Sequence, residues 1–279
     1  MRPYILSLTQ GYGNSMHKGK LVIKIGIFLS VLLLISIFIP YLSPQNPLEI
    51  NLDTKLMSPS FQHLWGTDEL GRDILSRVLN GFSTTIRVSI FALLASLVIG
   101  ICLGGIAGYL YGTWVDWIFN WIVSLIFSLP FLLIMASIMS ITGTGIVNAY
   151  IILSLIMWVG PARITRAEVI KTKSLGYVIT ARAYGYPGWR ILLLTIMPAT
   201  VESAFTFSIS YLPEIIGLEA GLAFLGLGIQ PPYPGLGKMI FDGLNYIYSA
   251  WWMAFFPAMT LFSLVMSINM FMSLSKRKR

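Results

Sequence analysis

The sequence predicts an all-α integral membrane protein with six membrane-spanning helices, and three observations carry that expectation. Of its 279 residues, 56% are hydrophobic and only 11% charged, whereas soluble domains hold about 45–50% apolar and about 25% charged residues. The apolar residues gather in runs near the ~20 residues that a helix needs to cross a bilayer, and the mean hydropathy is +0.77. The basic residues concentrate in segments separated by even numbers of those runs, as the cytoplasmic loops of a membrane protein require. Disordered, collagenous, coiled-coil and disulfide-scaffold classes are excluded by the same composition.

The elements follow in order. Residues 1–20 form a polar, basic N-terminal segment, and the first apolar run, 21–42, is interrupted only by Lys24 and Pro40. No small-residue cleavage site follows it, so it reads as an anchor helix rather than a removed leader. Residues 43–82 form a connector rich in Pro, Asn and Ser, then a segment, Leu70 to Gly81, whose Leu70, Ile74, Val78 and Leu79 share one side at helical spacing. The core, 83–275, holds five further runs: Ile86 to Tyr111, Val115 to Ser140, Ile146 to Trp158 with some continuation, Ala199 to Ile229, and Trp251 to Leu274. A basic tail, 276–279, ends the chain.

Of the 19 Lys and Arg residues, 14 fall in the N-terminal flank, the stretch from Arg163 to Arg190, and the tail. With six spans these lie on one face, which places both termini and the segment 171–198 in the cytoplasm. The +8 charge is therefore topological, and no nucleic-acid partner is implied. Within 171–198, Tyr177, Val178, Ala181 and Tyr184 lie near one face of a short helix, and Gly185 to Gly188 break it.

Catalytic signatures are missing. Gly19-Lys20 and Gly237-Lys238 are followed by Leu and Met, so no phosphate-binding GxxxxGK[ST] loop exists, and HExxH, GxSxG and CxxC do not occur. One cysteine, Cys102, and two histidines, His17 and His63, argue against a multi-thiolate or multi-histidine metal site. Charges inside apolar runs need a reason, because each costs about 2.5–3.5 kcal/mol at a helix centre on insertion scales. Glu214 and Glu219, about 140° apart on a helix, either line a water-filled path, pair with basic groups of a partner subunit, or cap broken helix segments. After them, Gly221, Gly226 and Gly228 precede Gln230-Pro231-Pro232-Tyr233-Pro234-Gly235. Such backbone suits the mouth of a pathway or a surface turn.

Tyr177 to Gly185, continuing to Trp189-Arg190-Ile191 and Met197-Pro198, resembles the "EAA" loop of binding-protein-dependent ABC importer permeases. Trp65-Gly66-Thr67-Asp68-Glu69-Leu70-Gly71-Arg72-Asp73, Trp158 to Arg163, Ala223 to Pro232, and Trp251-Trp252 with Phe256-Pro257 narrow the resemblance. They match the second, C-type permease of the dipeptide, oligopeptide and nickel subfamily. The resemblance implies a type I importer (MetI-like) permease fold in the cytoplasmic membrane of a prokaryote. It implies a sister permease, two ATP-binding subunits that hold ATP and Mg, and an extracytoplasmic binding protein. This chain would be no enzyme and would bind no cofactor. Its cargo would be a peptide, with nickel or a metal chelate as the alternative; a self-sufficient secondary transporter is the other class. Tyr177, Val178, Ala181, Arg182, Tyr184 and Gly185 would form the ATPase-coupling element. Glu214, Glu219, Gln230, Pro231 and Tyr233 would face the pathway or the receptor, and Asp68, Arg72, Asp73 and Arg77 would brace the extracytoplasmic segment. The family's glutamate falls at Ile179 and its first alanine at Thr180, while Trp121 and Ser124 stand where relatives often carry Arg and Asp.

Overall fold

A computed structural model describes residues 22–230 and 232–277. Among these residues there is no strand, only an isolated antiparallel bridge between Thr67 and Asp73. The helices are α1 (Val22–Leu42), α2 (Ile74–Tyr109), α3 (Trp114–Phe127), α4 (Phe131–Thr142), α5 (Ile146–Met157), α6 (Val159–Lys173), α7 (Gly176–Ala183), α8 (Gly188–Ser210), α9 (Leu212–Phe224), α10 (Leu236–Leu244) and α11 (Trp252–Arg277). Five stretches are long and apolar enough to span a membrane: α1, α2, α5 with α6, α8, and α11. The pair α3 and α4, bent by 89° at the break before Phe131, gives a sixth if the two helices are counted as one span.

Two boundaries differ from expectation. The amphipathic segment from Leu70 is not a separate helix: Glu69 and Leu70 form a turn, Asp73 bridges to Thr67, and Ile74 opens α2, which runs on without a break for 36 residues. The run from Ala199 to Ile229 is not one span. The spanning helix is Gly188–Ser210, and a second helix starts at Leu212. The cause is Pro213, which has no N–H for the carbonyl four residues back and is tolerated only in a first helical turn. Upstream, Ile191–Ile196 is π-helical, with the Met197 N–H reaching the carbonyl of Leu192. These wide turns lie just before Pro198, whose ring would crowd the carbonyl of Leu194 in a regular α-helix.

The chain forms two compact units. One comprises residues 22–30, Ala95–Leu125 and Trp158–Ser210. Its organising feature is the glycine face Gly100, Gly104 and Gly108 of α2, which lets the backbone of α6 approach at Pro161, Ala162 and Arg166. Asp116 of α3 receives Arg166 of α6 through two hydrogen bonds, Nε to Oδ1 at 2.6 Å and Nη2 to Oδ2 at 3.0 Å. It also accepts from the Gly112 N–H and the Asn120 amide. A charge inside an apolar run is thereby paired and hydrogen-bonded.

The other unit comprises Val31–Leu94, Ile126–Met157 and residues 211–277. Its connector is pinned to α11. Trp65 stacks on Phe256 with centroids 4.6 Å apart, and the Trp252 indole N–H donates to the Thr67 carbonyl at 3.2 Å. Ile74, Val78, Leu236, Met239, Trp252 and Met253 form the buried cluster beneath. Gly66, at φ +76, lies so close to Trp252 that a Cβ would stand 2.7 Å from Nε1.

Candidate functional site

The first candidate element is α7. Leu175 precedes it in extended conformation, and it ends in a Schellman motif. The Gly185 N–H donates to the Arg182 carbonyl at 3.0 Å and the Tyr186 N–H to the Ala181 carbonyl at 3.4 Å. Gly185 has φ +78, a left-handed conformation that glycine adopts without a Cβ penalty.

The expected single face of Tyr177, Val178, Ala181 and Tyr184 is divided. Val178 is fully buried with Val169, Ile191 and Ile196, and Ala181 packs against the same cluster. Val178 and Ala181 therefore hold the helix to α6 and α8 and do not form its free surface. Tyr177, Ile179, Tyr184 and Trp189 are exposed, Tyr184 to 79%. Arg182 is exposed beside them. Partial burial pushes the Tyr177 phenol above its ordinary value. Lys173, at the end of α6, donates to the Tyr109 carbonyl at 2.6 Å and lies over its ring. A cation thus satisfies the C-terminal turn of α2, where the helix dipole favours it.

The second candidate element is α9 with the loop behind it. Glu214 is exposed, whereas Glu219 is 1% exposed. The Thr85 hydroxyl of α2 donates to Glu219 Oε2 at 3.3 Å, and Oε1 has no hydrogen-bond partner. The structure therefore separates the two acids, one on the surface and one in the interior. At the helix end Gly226, φ +76, repeats the Schellman arrangement, with N–H bonds from Gly226 to Ala223 and from Leu227 to Leu222. Gln230 does not project outward: its amide donates to the Gly226 and Gly228 carbonyls at 2.9 and 3.2 Å and closes the loop on itself. Tyr233 is 61% exposed. Pro231 lies outside the described residues.

The connector's charges brace it. Asp68 accepts from the backbone N–H groups of Leu70 and Arg72, and from Arg72 Nε at 2.6 Å. Arg77 Nε lies 3.3 Å from the same carboxylate, and its Nη1 donates to the Pro47 carbonyl. Asp73 holds the Ser76 N–H and hydroxyl at the start of α2 and contacts His63 Nδ1 at 3.1 Å. A helix-capping aspartate of this kind is worth roughly 0.5–2 kcal/mol.

Sequence reasoning passed over three of these features. The spacing Gly100, Gly104, Gly108 is a small-xxx-small pattern visible by eye. Asp116, alone in an apolar run, called for a cation such as Arg166. Pro40, whose missing N–H leaves the Ser36 carbonyl to the Ser83 hydroxyl and Arg87 Nη2, called for such donors.

Apolar helices of spanning length define the class as a multi-pass membrane component. Residues 100–279 match the family of binding-protein-dependent transport system inner membrane components. The dipeptide transport system permease protein of Bacillus subtilis is 35% identical over 255 residues, covering 91% of this chain and 79% of that protein. The corresponding protein of Alkalihalophilus pseudofirmus is 33% identical over 257 residues, covering 92% and 84%. The glutathione transport system permease protein of Pectobacterium atrosepticum is 33% identical over 246 residues, covering 88% and 81%. The chain belongs to the family of binding-protein-dependent transport system inner membrane components.

Proposed function

We propose that this chain is one of two membrane subunits of an ATP-driven importer, and that together they form the path for peptides delivered by an extracytoplasmic binding protein. The relatives named for dipeptide and glutathione transport support the peptide cargo. ATP and Mg belong to two partner subunits on the cytoplasmic side, the side that α7 faces in this reading.

The observation that carries the reading is the division of α7 into a buried anchor and an exposed aromatic face. Tyr177, Ile179 and Tyr184 present large apolar surface to a partner, of the kind that fills a groove. Val178 and Ala181 bind the helix to α6 and α8, so a push on α7 moves these elements together as a rigid body. Ile179, at the family's glutamate position, is 57% exposed, so it meets the ATPase through apolar contact rather than charge.

Tyr184→Asp tests this in the complete importer. The variant should fold, lose co-purification of the ATP-binding subunits and lose uptake. Retention of both would refute the docking role of α7. Val178→Ala serves as the contrast: it should lower the melting temperature, because it removes buried methyl groups.

A further inference from the structure

Pro40 near the end of α1 has no N–H, so the Ser36 carbonyl lacks the donor that a regular helix would supply. Two residues of α2 replace it. The Ser83 hydroxyl donates to this carbonyl, and Arg87 Nη2 donates to it at 2.8 Å. Arg87 is thereby drawn to α1, yet none of the ion pairs among the described residues includes it. Nη2 is used in this bond, and Arg87 as a residue is exposed.

That guanidinium sits on the wall of an open groove of about 590 Å³ that contains no acidic residue. Leu33, Ile37 and Phe91 make the apolar part of the lining, and Tyr41 and Tyr233 also border it. Ile37 and Phe91 are 46% and 65% exposed, as on lipid-facing helices, and Tyr41 is 83% exposed. Tyrosines of this kind sit at headgroup depth. Ser36 lies roughly 9 Å along α1 from Leu42, a depth from which an arginine reaches the headgroup region.

We propose that this groove is a phospholipid site, with the phosphate on Arg87 and an acyl chain along Leu33, Ile37 and Phe91. The sequence of surfaces, tyrosine, cation, then apolar wall, is the polarity order of a phospholipid. A guanidinium without a counter-ion pairs with phosphate through charge-assisted hydrogen bonds. The site does not depend on the cargo of the importer.

The test uses the complete importer in nanodiscs of phosphatidylethanolamine and phosphatidylglycerol, transferred to mild detergent for native mass spectrometry. The wild type and Arg87→Lys should retain one phospholipid that Arg87→Gln loses. Equal retention in Arg87→Gln would overturn the proposal. So would displacement of the lipid by inorganic phosphate, which would mark a free-anion site. A photo-crosslinking benzoylphenylalanine in place of Phe91 leaves Arg87 intact and gives an independent answer if Arg87→Gln does not fold. A phospholipid adduct supports the site, and an adduct with the sister permease refutes it.

Discussion

Replacing Gly104 by alanine should separate α2 from α6, and the size of the effect follows from the packing. A Cβ on Gly104 would stand 2.2 Å from the Ala162 carbonyl oxygen and 2.9 Å from its carbon, about 1.2 Å short of ordinary contact at 3.4 Å. The obstacle is helix backbone, which cannot rotate away as a side chain would. Overpacking of this kind costs about 1–3 kcal/mol, and a rigid partner puts Gly104→Ala toward the upper end. Gly26→Ala is the control, since a Cβ there meets nothing within 4 Å. Both substitutions remove helix-interior glycine and share a gain of roughly 0.5–1 kcal/mol, so their difference isolates the clash. Thermal unfolding of the purified protein, followed by tryptophan fluorescence, reads that difference. Gly26→Ala should melt at or above the wild type and Gly104→Ala well below it. Equal melting of the two variants would show that α2 and α6 do not approach as described.

The remaining expectations concern two of the buried acids, Asp116 and Glu219. Asp116→Asn leaves Arg166 without its carboxylate. Because the side chains are 8% and 20% exposed, the loss should fall near or below the lower end of the about 3–5 kcal/mol known for fully buried pairs. The exchange Asp116→Arg with Arg166→Asp should recover part of it, and a melting temperature unchanged by Asp116→Asn would refute the pairing. Glu219→Gln keeps the shape and the Thr85 bond but removes a buried charge with one unpartnered oxygen. It should leave stability unchanged or raised and alter uptake without changing affinity for the binding protein. Wild-type uptake would show that Glu219 takes no part in transport.

Most of the spans were legible in the sequence because burial in lipid is decided locally, by whether some twenty consecutive side chains are apolar. The break at Tyr211 was hidden because residues on both sides are equally apolar. Only the missing N–H of Pro213 interrupts the helix. The short helix 176–183 and its glycine stop were legible from local turn chemistry, but its orientation was not. Val178 and Tyr184 look alike as apolar residues of one segment. Contact with Val169 and Ile196, from helices before and after it, decides that Val178 is buried and Tyr184 free. Gln230 likewise carried no sign that its amide would turn back on its own loop.

By itself, then, the sequence determined that this is a multi-pass membrane component with the motifs of a transport permease. Hydrophobicity and charge act on each segment separately, whatever its neighbours are. Only the tertiary structure decided which polar groups meet: Arg166 with Asp116, Thr85 with Glu219, and Arg87 with the carbonyl freed by Pro40. A buried polar atom must find a partner wherever the packed helices bring one, and that partner is 50 residues away in the first case and 134 in the second.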